Sequence, residues 1–201
     1  HFYAGKFRRK YRYQFRSGWI LADVIKGIVR IHLCAMVVDK ELLVANALQF
    51  TEDCPIGEDQ ELILKLLSIT QVTAVPRSLL LYNVRPNSAI TSKWRWEKHI
   101  HALLAYQRAG NYMMLRLTGT DQLDKILPVF HRTRAAKVSK FLWRMLKYGY
   151  YKDTLHLMTQ PEFKHLLEGI ETSELGILDR LKYRIVISRN PLLWKLAGIL
   201  R

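Results

Sequence analysis

Apolar residues recur three and four positions apart over most of this chain, the spacing of helices that bury one face. Over residues 19–29, Ile20, Leu21, Val24, Ile25 and Ile28 keep that spacing while Asp23 and Lys26 fall elsewhere, which predicts an amphipathic helix. Residues 31–38 form a short apolar run suited to a buried strand, and residues 40–46 a short helix. After a loop over 49–57, Leu62, Ile63, Leu66 and Leu67 lay out the stripe of a helix that begins near Asp59. Residues 72–75 and 79–84 read as extended segments broken at Pro76, with Pro86 and Asn87 closing this half in a turn.

From Thr91 onward the pattern is helical. Thr91 or Ser92 caps a helix that runs through Trp96, Ile100, Leu103 and Leu104 and ends near Gly110. Pro128 limits a further helix and residues 141–148 belong to another; Thr159 followed by Pro161, and Asn190 followed by Pro191, start two more. Residues 2–16 mix Arg and Lys with Phe and Tyr and show no helix or strand period, so they read as an exposed basic segment. The expected fold class is α+β and predominantly helical: a mixed α/β part over 1–91, then an all-helical part over 92–201.

With 201 residues, 49% of them hydrophobic, the chain has enough apolar side chains for a core. Charge changes the picture more. Lys and Arg number 32 against 17 Asp and Glu, and the net charge of +15 favours an anionic partner: nucleic acid, phospholipid headgroups or a phosphorylated substrate. Cys34 and Cys54 fit no metal motif and no disulfide framework, which points to a reducing compartment. Asp23, Lys26, Arg30 and Asp39 interrupt the most apolar stretch, so no run approaches the roughly 18–20 residues of a membrane span. The chain opens at His1 with neither Met nor a signal-peptide pattern, as a portion of a longer protein would.

The chemistry-bearing feature is Gly57-Glu58-Asp59. Two adjacent carboxylates follow a glycine that permits a close backbone approach, and they open a helix whose positive end favours the charged form of an acid. That arrangement suits a general base. It also suits a plain helix start, since Asp is a common cap and acids in a first turn complement the dipole. His32, His99, His101, His131, His156 and His165 are scattered and form neither a metal set nor a catalytic triad.

Around the acids, Asp39-Lys-Glu-Leu-Leu, Leu48-Gln-Phe50, Gly57-Glu-Asp59, Leu79-Leu-Leu-Tyr82 and Val84-Arg-Pro-Asn-Ser88 occur in order. This string resembles the C-terminal portion of family 2 glycosyltransferases, in which a short helix leads through a turn ending in Phe to a Gly-Glu-Asp helix. A strand with a Tyr edge and a turn containing Arg and Ser follow. The resemblance covers residues 31–90. It implies a remnant of the GT-A fold, a nucleotide-diphosphate sugar donor, a glycan or lipid-linked acceptor, and inversion at the anomeric carbon. It also implies a divalent metal, Mg or Mn, in the intact enzyme. Asp59 matches the acceptor-deprotonating base and Glu58 its neighbour; Arg85, Asn87 and Ser88 match the turn that faces donor phosphates or acceptor. The donor-binding half and its Asp-x-Asp metal ligands precede this region in the family, and no Asp-x-Asp occurs in the chain. The 201-residue chain is therefore expected to transfer no sugar by itself.

The C-terminal third interleaves Arg132, Arg134, Lys137, Lys140, Arg144 and Lys147 with Phe141, Leu142, Trp143 and Leu146. Lys182, Arg184, Arg189 and Lys195 do the same beside Leu192, Leu193, Trp194 and Leu196. Such helices lie in an anionic membrane interface or pack their apolar side internally. The expected setting is cytoplasmic, with the inner face of the cell membrane and a second copy of the chain as further partners. The competing reading is a module without catalysis that binds nucleic acid, a membrane or itself. No helix-turn-helix, zinc-finger or RNP-like pattern supports a specific nucleic-acid partner.

Overall fold

The computed structural model describes residues 2–4, 7–9, 15–77, 79, 82–83, 93–168 and 170–199. The protein is predominantly helical, and it divides into two compact units, His1–Val129 and Phe130–Arg201.

The first unit opens on two short antiparallel strands, β1 (Phe2–Ala4) and β2 (Phe7–Arg9), with Phe2 opposite Arg9. Strand β3 (Tyr82–Asn83) pairs parallel to β1, giving the order β2-β1-β3. The expectation of no strand in the basic N-terminal segment is thus corrected: β1 and β2 pair with each other, and β3 supplies a second partner from far along the chain. Helices α1 (Leu21–Ile25), α2 (Lys40–Ala45), α3 (Glu58–Leu67) and α4 (Trp96–Leu117) follow in this unit.

Helix α3 is apolar over most of its circumference, with Leu62, Ile63, Leu64, Leu66 and Leu67 all buried, as expected of a helix surrounded by other elements. Leu62 and Leu66 join Leu48 in one cluster, onto which Leu33, Met36, Leu42 and Tyr112 pack. Asp39 caps α2, its Oδ1 accepting the Glu41 N–H at 2.8 Å, as the short helix expected there requires.

Residues 31–38 do not form the expected strand. Leu33–Ala35 is a single 3-10 turn, while Cys34, Ala35 and Val37 are exposed. Leu33, Met36 and Val38 bury their side chains on the Leu48 cluster, so the run covers the core without a strand to pair with. Of the extended segment expected over 72–75, only Val72 bridges, to Gly18. Helix α4 passes Gly110 and ends at Leu117 because its buried stripe continues through Ala109, Met113 and Leu117. That burial outweighs the roughly 1 kcal/mol that a glycine costs inside a helix.

The two compact units meet within a helix. Helix α4 belongs to the first unit, and the boundary at Val129 and Phe130 lies inside α5 (Asp121–Lys147). Pro128 does not limit α5 either. Buried side chains on both sides of it, Ile126 before and Phe130 and Ala135 after, offset the ~3 kcal/mol of an interior proline.

The second unit continues α5 with α6 (Tyr151–Thr159), α7 (Pro161–Leu167), a 3-10 turn at Thr172–Glu174, α8 (Ile177–Ile187) and α9 (Pro191–Ile199). Val138, Leu142, Met145, Leu146, Phe163 and Leu166 form its interior, with Phe141 and Phe163 at 6.2 Å between ring centres. Thr159 closes α6, its hydroxyl donating to the His156 carbonyl, and α7 starts one residue later than expected, at Gln160 with Pro161 in its first turn. Asn190 caps α9 as expected, its Oδ1 accepting the N–H of Leu192 at 2.9 Å.

Gly57 sets how closely α3 approaches α4. Its φ of 99° is left-handed, and a Cβ built there would lie 2.7 Å from Ala102 Cα. Gly57→Ala should therefore cost ~2–4 kcal/mol, the left-handed strain and the backbone displacement together. Gly119 has a φ of 78° with open space around it, so Gly119→Ala should cost only ~1 kcal/mol. Urea unfolding of the two variants checks the contrast.

Candidate functional site

The acids sit where the sequence places them. Gly57 is the N-cap of α3, and Glu58 and Asp59 are its first two residues. Asp59 is exposed and Glu58 half-buried. Asp59 Oδ1 accepts the N–H of Gln60 at 2.7 Å, so one oxygen is held against the helix end while the side chain remains open to solvent. Arg85, Asn87 and Ser88 lie outside the described residues.

Beneath this turn is an ion-pair network that sequence reading missed. Glu61 is 2% exposed, one turn below the cap. Its Oε1 accepts from Thr51 Oγ1 at 3.0 Å and from Lys65 Nζ at 2.6 Å. Its Oε2 accepts from Arg108 on α4, from Nε at 3.0 Å and from Nη2 at 2.7 Å. A carboxylate offers about four acceptor sites, and this one uses them all. Arg108 Nη2 also lies 3.4 Å from the sulfur of Cys54, which in turn donates to the Ile56 carbonyl at 3.6 Å. The loop before α3, α3 itself and α4 are thereby joined through one buried carboxylate.

Burial pushes the Glu61 carboxyl up, but hydrogen bonds from Arg108, Lys65 and Thr51 outweigh it and hold the group below its ordinary value of 4.5. Burial likewise pushes Arg108 down, and its bond to Glu61 reverses that and holds it above its ordinary value. Glu61 is neutralised by two cations and closed to solvent, so it anchors the turn. Asp59, two residues away, has the access that a base requires.

One half of this network had a local signal, since Glu61 and Lys65 stand four apart on one helix face. The other half had none: Arg108 is 47 residues away from Glu61 in sequence.

Among the described residues no three His, Cys, Asp or Glu side chains gather as a metal site needs. No helix among them is long and apolar enough to cross a membrane. The chain matches no family model, no curated protein and no solved structure.

Glu61 carries a pH signature. Its folded pKa is depressed, so its contribution to stability is complete above the ordinary carboxylate value near 4.5 and is lost as pH falls through the lowered folded value. The melting temperature of the wild type should drop over that window, and that of Glu61→Gln should drop less. Arg108→Met leaves the buried carboxylate short of a partner and should cost ~3–5 kcal/mol at neutral pH. Thermal melts from neutral to acidic pH read both effects.

Proposed function

We propose that this chain is the acceptor-side and C-terminal portion of a family 2 glycosyltransferase of GT-A type, acting in cell-surface polysaccharide synthesis. The observation that carries the reading is the solvent-open carboxylate of Asp59 at the head of α3, on a turn fixed from below by Glu61 and Arg108 and from the side by the contact of Gly57 with α4. A base on a rigid element keeps its geometry while substrate comes and goes. The ordered string from Asp39 to Ser88 supports the same reading.

In the proposed reaction Asp59 takes the proton of an acceptor hydroxyl. That oxygen attacks the anomeric carbon of a nucleotide-diphosphate sugar from the face opposite the leaving group. The new glycosidic C–O bond forms as the bond to the diphosphate breaks, which inverts the anomeric centre. Glu58 supports the acceptor side, and Arg85, Asn87 and Ser88 are assigned to substrate binding through the resemblance. Donor binding and the divalent metal belong to residues outside this chain, so the 201 residues alone should release no nucleoside diphosphate from any sugar donor.

Asp59→Asn tests the assignment in the protein that joins this chain to its donor-binding half. General-base catalysis contributes ~10²–10⁴-fold, so nucleoside-diphosphate release during transfer should fall by at least ~10²-fold. Circular dichroism and melting temperature should stay unchanged, because the side chain is exposed. Turnover retained in a folded variant would overturn the role of Asp59.

A further inference from the structure

Helix α8 exposes the wrong side chains for a helix surrounded by water. Ile177 is 85% exposed, Leu178 71% and Leu181 58%, and Leu192 in the first turn of α9 is 73% exposed. At helical spacing Ile177, Leu178 and Leu181 lie within roughly 100° of one another around the axis, so they form one stripe. Arg180 and Arg184 border it on one side and Lys182 on the other. The helix turns a different stripe inward, since Tyr183 and Val186 are the residues it buries.

The scaffold under this face is well tied down. Trp194 of α9 is buried and donates its indole N–H to the carbonyls of Ile185 and Val186 at 3.0 and 3.1 Å, which fixes α9 to the end of α8. Tyr151 stacks on Trp194 at 6.3 Å between ring centres. The apolar stripe is therefore held outward by a packed unit.

Charge selects the occupant. Residues 177–201 hold six cations, Arg180, Lys182, Arg184, Arg189, Lys195 and Arg201, against one acid, Asp179. That acid is half-buried: its carboxylate lies 3.9 Å from Lys140, and its carbonyl accepts from Ser139. A second copy meeting this face about a two-fold axis would set one cationic rim against another, which opposes pairing. A nucleic acid would take the cations and leave the aliphatic stripe in water. An anionic bilayer takes both, acyl chains covering the leucines and headgroup phosphates meeting Arg184 and Lys182, while Arg180 donates to the Ser173 and Leu175 carbonyls at 3.2 and 3.3 Å.

We infer that the face formed by Ile177, Leu178 and Leu181 of α8 docks the protein on an anionic lipid surface. The inference is independent of the role given to Asp59. It places α8 parallel to the membrane plane, with its buried stripe toward the protein.

Flotation of the 201-residue chain with lipid vesicles tests it. Vesicles of phosphatidylcholine with about one third phosphatidylglycerol should carry the protein at low salt, and pure phosphatidylcholine vesicles should carry little. The double substitution Leu178→Ser and Leu181→Ser should weaken binding to the anionic vesicles at least tenfold with the circular dichroism spectrum unchanged. Arg184→Glu should weaken it severalfold and reduce its salt dependence. Three results would overturn the inference: no flotation with anionic vesicles, equal flotation of the double variant, or a dimer in light scattering that the double variant disperses.

Discussion

The carboxylate of Glu61 is the point on which the first unit turns. It is buried, it is charged, and it lies between a loop, its own helix and a helix from far along the chain. Replacing such a pair by apolar groups of the same shape need not weaken a protein, but removing one partner alone strands a charge in a poor solvent. The pair therefore acts more on register than on total stability. On α4, Ala102 and Arg108 are six residues or about 9 Å apart, and on α3, Gly57 and Glu61 are four residues or about 6 Å apart. The helices must meet so that Arg108 reaches Glu61 and Ala102 passes under Gly57 at once. A slip of one turn breaks the ion pair and also drives a Cβ-free position away from the only place where it is needed. Two contacts of different chemistry thus agree on one arrangement, and the direction in which Glu58 and Asp59 leave the helix follows from it.

Much of this was legible in the sequence, and the failures have physical causes. The start of α3, the short helix α2 and the Asn190 cap of α9 were readable because capping and helical spacing are local. The run over 31–38 was misread because periodicity cannot tell a buried strand from an irregular segment that presses Leu33 and Met36 onto a core. Gly110 and Pro128 were read as ends of helices from their intrinsic cost, whereas the structure sets burial of Met113, Leu117 and Phe130 against that cost. Strands β1 and β2 gave no period because each is three residues long, too short for alternation to emerge.

The candidate site divides in the same way. Glu58 and Asp59 could be found because they share a helix end with a glycine, a pattern visible in three adjacent letters. Glu61 stands in the same stretch with only its spacing to Lys65 as a local signal, because what distinguishes it is the arrival of Arg108 from another helix. Sequence thus marks the carboxylates at the helix end, which depend on local geometry, and hides the buried one, which depends on tertiary contact. The hidden residue is the one that holds the visible ones in place.

Exposure of aliphatic surface is the mirror image of that buried charge. A carboxylate removed from water needs partners, and Glu61 has them within the protein. Leucines left in water need a cover, at ~25 cal/mol for each Å² that burial would remove from solvent, and Leu178 and Leu181 have none among the described residues. Single exposed leucines are ordinary and ask for no explanation. A stripe of three on one helix is different, because the same helix shows in Tyr183 and Val186 that it already buries an inward face. Two apolar faces on one short helix mean two apolar neighbours, and the described residues supply a neighbour for the first. The cations beside the second face are the reason for proposing a neighbour both oily and anionic, a description that an acidic phospholipid layer meets with no specific contact at all.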